Sequence, residues 1–231
     1  MHRHLMPCTV MIALVLTGCG IETLAYLRSN ETPVPIGNSG NALEFNTPVN
    51  PTNGINLYYR IYDSETDAIS DKNILDTKQG SENIPGSAIS YLENSLKYTR
   101  PVRYSLKNNK TISVIPTIPD SIDTNTLLSI KLISGRIFID LDTSSVLVDI
   151  EEDPVTDDVF ELLRNTSSGI PKGFDELAQP DDLDYKIGET EYFSYYVQFF
   201  AASYGFDLTG SGTELYSNAV YLGCIVLEAD V

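Results

Sequence analysis

Between Leu127 and Leu141, apolar and polar residues alternate so regularly that little but antiparallel β-structure can accommodate them. Leu128, Ile130 and Leu132 alternate with Ser129 and Lys131; after Ser134-Gly135, Ile137, Ile139 and Leu141 alternate with Arg136, Phe138 and Asp140. A period of two sends successive side chains to opposite faces of a strand. The two-residue interval between the runs is hairpin length. Asp142-Thr-Ser-Ser145 supplies a second turn, and Val146, Val148 and Ile150 a third short strand. A three-stranded meander is the expectation.

The same period recurs on either side of this block. Ile55, Leu57, Tyr59 and Ile61 share one face of a strand, while Asn56, Tyr58, Arg60 and Tyr62 share the other, outward face. Near the end, Phe193, Tyr195, Val197, Phe199 and Ala201 alternate, and past a Gly/Ser/Thr loop Val220, Leu222, Cys224 and Val226 do so again. That places Cys224 on an apolar face, where a thiol behaves as a small buried hydrophobe. Helical spacing shows in Ile89, Leu92 and Leu96, with Ser87 as an N-cap candidate and Ser90/Glu93 in capping-box arrangement. A second short helix is read over Thr156 to Arg164, and residues 165 to 190, rich in Gly, Pro and Asp, read as loop. Mostly antiparallel β with an inserted helix or two and long loops is the pattern of a β-sandwich.

Several function classes fall away on composition. The N-terminus carries Arg3, an apolar run from Val10 to Leu16 too short to cross a bilayer, and Leu16-Thr17-Gly18-Cys19. Residues 1–18 thus read as a secretory signal, whose removal leaves 213 residues. Both histidines, His2 and His4, depart with it, which excludes Ser-His-Asp and Cys-His catalysis and His-ligated metals. Cys8 departs too, leaving Cys19 and Cys224. Losing Arg3 leaves fourteen basic against thirty-two acidic side chains, a formal charge of −18. Such a surface repels phosphate backbones, so no nucleic-acid partner is expected.

Leu16-Thr17-Gly18-Cys19 resembles a bacterial lipobox. The resemblance implies cleavage after Gly18 and acylation of Cys19, hence a membrane partner through a lipid anchor such as palmitate. Gly20, with no aspartate after the cysteine, resembles an outer-membrane or surface sorting signal. Residues 19–41 then read as a flexible tether and residues 42–231 as one elaborated sandwich domain. Tyr192-Phe-Ser-Tyr-Tyr-Val-Gln-Phe-Phe-Ala-Ala-Ser203 with Tyr216-Ser-Asn-Ala-Val220 resembles the F–G strand pair of fibronectin type III modules, and Leu57 to Tyr62 their strand C. The long interval between Tyr62 and Glu191 implies an expanded relative. Lipobox and Gly54-x-x-Leu-Tyr-Tyr-Arg-Ile-Tyr62 together are similar to spirochaetal lipoproteins with no assigned activity.

No catalytic residue can be nominated. A glycosidase needs two carboxylates about 5–10 Å apart across a cleft, and thirty-two acids offer too many pairings for spacing to choose one. Tyr58 and Tyr62, read as outward, do not by themselves make a sugar platform. Asp149, Glu151, Glu152, Asp153, Asp157 and Asp158 are dense enough for a Ca2+ ion to relieve their repulsion; a solvated acidic loop is the default, and no other cofactor is expected. Asp63, Glu65 and Asp67 begin like an EF-hand loop, but Ala68 stands where glycine is required and Ile74 where the bidentate Glu belongs. Asp181, Asp182 and Asp184 read as another solvated acidic group. The expectation is a non-catalytic envelope lipoprotein that binds or scaffolds, with another envelope protein or a host protein as partner. A carboxylate-based carbohydrate-active or carbohydrate-binding protein, or a purely structural surface-coat lipoprotein, are the alternatives.

Overall fold

A computed structural model describes residues 33–38, 41–46, 54–81, 87–105, 110–113, 127–141, 149–150, 153–154, 159–166, 170–176, 178–188, 194–206 and 214–228. In chain order the strands are β1 (Val34–Asn38), β2 (Ala42–Asn46), β3 (Gly54–Tyr62), β4 (Val102–Ser105), β5 (Lys110–Ser113), β6 (Leu127–Ile133), β7 (Arg136–Leu141), β8 (Asp149–Ile150), β9 (Asp153–Pro154), β10 (Val159–Glu161), β11 (Tyr185–Lys186), β12 (Ser194–Phe206), β13 (Glu214–Tyr216) and β14 (Val220–Glu228). The helices are α1 (Glu65–Ser81) and α2 (Ser87–Asn94).

The fold is mostly β, an antiparallel sandwich with few helices. One sheet runs β1-β2-β6-β7-β10, antiparallel throughout. The other runs β11-β3-β12, with β14 and then β13 taking turns along the far side of β12. β3, β12 and β14 thus stand side by side as strands C, F and G do in Ig-type sandwiches. The parallel pairing of β11 with β3 is foreign to that plan. Leu43, Phe45, Leu128, Ile130, Ile137 and Ile139 of the first sheet pack against Ile55, Leu57, Tyr59, Ile61, Val197, Phe199 and Ile225 of the second.

The second sheet is apolar on its other face too. Tyr58, Tyr62, Phe200 and Ala202 meet Ala68 and Leu75 of α1 and Ala88, Ile89 and Leu92 of α2. The expectation of Tyr58 and Tyr62 as outward residues is therefore corrected: both are fully buried. Each tyrosine carries a large apolar ring and one polar tip, so period two marks the strand without telling water from a helical layer. The molecule has three layers: sheet, sheet, helices.

The β6–β7 hairpin forms as expected, with positive φ at Ser134 (52°) and Gly135 (79°), the backbone of a type I′ turn. The third strand of the meander does not follow. β7 pairs instead with β10, so the helix read over Thr156 to Arg164 is corrected to strand and bridges from Val159 onward, Thr156 to Asp158 lying outside the described residues. Val146 and Val148 lie outside the described residues. A helix the alternation concealed is α1: the Asp67 N–H donates to Ser64 Oγ at 3.3 Å, an N-cap, and Glu65 and Asp67 occupy its positive end. That settles the EF-hand-like spacing as a helix start. α2 begins at Ser87, so Ser90 and Glu93 lie within the helix rather than capping it. Val34–Asn38, inside the stretch assigned to the tether, forms edge strand β1; its exposed Val34 and Ile36 and its Pro35 hide the pattern.

Candidate functional site: an acidic cleft at one end of the sandwich

β3 and β14 end, and β12 begins, at the same end of the sandwich as the β6–β7 turn. A strap, residues 170–176 and 178–188, runs past this end between the two sheets. Together they enclose an open cleft of about 890 Å³, within the range of ligand sites. Ile61, Leu132, Phe174, Ala178, Tyr195, Val226 and Leu227 give it an apolar lining; Asn41, Ser134, Asp175, Glu176 and Glu228 are polar. Among the described residues no lysine or arginine lines it.

The strap is fixed by Arg164, a fully buried arginine. Its Nε and Nη2 donate to the two oxygens of Asp184 at 2.9 and 2.8 Å, a bidentate fork. Nη2 also reaches Asp182 at 2.7 Å, and Nη1 donates to the Glu176 carbonyl at 3.2 Å. Asp184 accepts the Tyr59 hydroxyl at 2.7 Å, and that hydroxyl accepts the Asn165 N–H at 2.8 Å. Burial opposes ionisation of Asp182, but the Gln179 N–H, Arg164 and Lys172 outweigh it and hold the carboxyl below its ordinary value. Downstream, Asp63 accepts the Tyr185 hydroxyl at 2.9 Å and the Gly188 N–H. Tyr185 stacks edge-on against Tyr195, 5.9 Å between ring centres, and so braces the cleft wall.

The rim is partly neutralised from outside. Arg136, just past the hairpin turn, pairs with Glu161 at 2.9 Å and Asp175 at 3.6 Å. Burial raises the Glu161 carboxyl, Arg136 opposes the rise, and Asp175 adds to it. Glu176 accepts the Gly173 N–H at 3.3 Å.

Few of the sequence candidates meet here. Cys19 lies outside the described residues. Of the Ca2+ candidates, Asp149 and Asp153 sit in the small β8–β9 ladder, while Glu151, Glu152, Asp157 and Asp158 lie outside the described residues. Among the described residues no three His, Cys, Asp or Glu side chains are grouped to hold a metal. Asp181 is exposed, as expected; Asp182 and Asp184 are not solvated acids but partners of Arg164, which spacing could not reveal because the cation lies eighteen and twenty residues upstream. Cys224 is half-buried, and burial with the nearby Glu65 pushes its thiol up to about 12. Its face differs from the expected one: the register shifts opposite Phe199/Phe200, so Leu222, Ile225 and Leu227 face the sandwich core and Cys224 faces the helices. Asp175, Glu176 and Glu228 carry no sequence signal, and Tyr195 none beyond its place in the alternation of β12; only the fold assembles them.

No family model matches the chain, and none of the curated proteins or solved structures compared with it gives a match. Among the described residues no helix is long and apolar enough to cross a membrane.

Proposed function

We propose that this chain is a lipid-anchored bacterial envelope protein, held through Cys19, whose sandwich body binds a ligand without transforming it. The observation that carries the binding role is the cleft, with an apolar lining and carboxylates at its mouth. What favours binding over catalysis is Arg136. Asp175 and Glu161 sit close enough for Asp175 to help raise the Glu161 carboxyl, as the acid of an acid/base pair would be raised. The Arg136 side chain ion-pairs with both, its Nε 2.9 Å from Glu161 and 3.6 Å from Asp175, taking up the space and charge that a glycosidic oxygen and its water would need. A signal peptide, a tether and a membrane or outer-membrane address belong to the same reading, and they rest on the N-terminal sequence alone.

Two assays test it. In the native host an alkyne-palmitate should label the protein and a Cys19→Ala variant should not; labelling that persists contradicts the anchor. With aryl glycosides, turnover should stay at background, and turnover that Asp175→Asn removes would make the protein an enzyme.

A further inference from the structure

The chemistry of the cleft deepens the binding reading, on which the following rests. We infer that the occupant is an extended peptide segment of a partner protein, carrying a lysine or arginine, laid along the outer edge of β14. Three observations converge on it. Glu176 and Glu228 stand at the mouth with no lysine or arginine among the described lining residues, while Asp175 beside them is met by Arg136 at 3.6 Å, so an occupant carrying an ammonium or guanidinium supplies the charge that Glu176 and Glu228 call for. Behind them the lining is apolar, Phe174 and Leu227 among it, and suits the methylene stem of that side chain. The third observation is the strand itself. Among the described residues β14 pairs on one side only, with β12.

Edges as long as β14 are ordinarily blunted by lysine, proline or inward charge. From Cys224 to Leu227, past its bulge at Gly223, it has none of these, and Val226, a residue of the cleft lining, is exposed. A strand added at such an edge gains main-chain hydrogen bonds and places alternate side chains in adjoining pockets. That joins the backbone edge and the acidic cleft in one recognition surface. It also separates a peptide from a free amine, which could use the carboxylates but not the edge.

Fluorescence anisotropy with the purified protein tests this, using a capped hexapeptide that alternates Val with Lys. Counterparts carry Gln for Lys, or Pro for Val, and spermidine serves as a competitor. The Lys peptide should bind roughly tenfold tighter than the Gln peptide, the span of about one charge-assisted hydrogen bond. Its affinity should fall with salt and with Glu228→Gln, and the Pro peptide should bind poorly. Val226→Trp, at an exposed position, should block binding while leaving the melting temperature unchanged. Equal binding of Lys and Gln peptides, both blocked by Val226→Trp, overturns the cationic ligand and leaves the cleft as a binding site. Binding that Val226→Trp does not affect overturns the cleft itself. Spermidine displacing the peptide at matched charge, an unimpaired Pro peptide, or no binding at millimolar peptide each overturns strand addition.

Discussion

Arg164 is the residue that ties down the strap beside the cleft. A guanidinium removed from water is costly unless its donors are met, and here Asp184, Asp182 and the Glu176 carbonyl meet them. Replacing it with Met leaves Asp184 buried without a cation and Asp182 with Lys172 alone, so a loss of about 3–5 kcal/mol is expected, read as a lowered denaturant midpoint. Arg164→Lys, which keeps the charge and loses the fork, should fall between. A midpoint unchanged in the Met variant would show that the strap is held by packing alone. Asp182 gives the pH dependence. Its folded value is depressed, so the stability it adds is complete above about pH 4 and is lost as pH falls through the lower folded value. The melting temperature of the native protein should therefore drop more steeply below pH 4 than that of Asp182→Asn, with the two curves converging in acid. None of this network could be read from the chain, because an arginine after two leucines and two aspartates in a loop each have commoner roles.

At the scale of elements, what could be read followed from how many neighbours a strand has to satisfy. The β6–β7 hairpin has a clear alternation and a two-residue turn, and it forms where expected. β3 and β12 form as strands where expected, yet the second face of β3 is buried rather than outward, since tyrosine serves a helical neighbour as well as it serves water. α1 escaped because its buried positions are chiefly Ala68, Asp71 and Leu75, with Asp71 accepting the Tyr62 hydroxyl at 2.9 Å and Lys186 at 2.9 Å. An acid in the buried stripe erases the apolar pattern of a helix. β14 misled through its irregularity at Gly223, where φ is +141°. A Cβ there would lie 2.5 Å from Leu43 Cδ2 and 2.8 Å from Asn38 Nδ2, so the glycine lets β14 close against β1 and β2. Gly223→Ala combines an unfavourable φ with a clash and should cost about 1–3 kcal/mol, measured by chemical denaturation. A neutral result would mean that β1 and β2 can retreat freely from β14.

The whole molecule is organised around its second sheet, which is covered on one face by the first sheet and on the other by helices. Sidedness leaves only the ends and edges of that sheet open to a ligand: its central strands have no exposed face to offer. Hydrogen bonds then tie the layers together, Tyr98 donating to Gln198 and Gln198 to the Ala68 carbonyl at 3.1 Å. The cleft lies where this arrangement runs out, between the sheet ends and the strap, and the edge of β14 borders it. The class of fold was readable in the sequence because period two survives in isolated strands. The site was not, because its carboxylates come from residues 175, 176 and 228, which only the tertiary structure brings together. The most direct measurement is an amide chemical-shift titration of the protein with the Val/Lys peptide. Shifts confined to Ser134–Gly135, Asp175–Glu176 and Cys224–Glu228 are expected; shifts centred on Ile69 and Ile74 of α1, or none at saturating peptide, would contradict the assignment of function to this cleft.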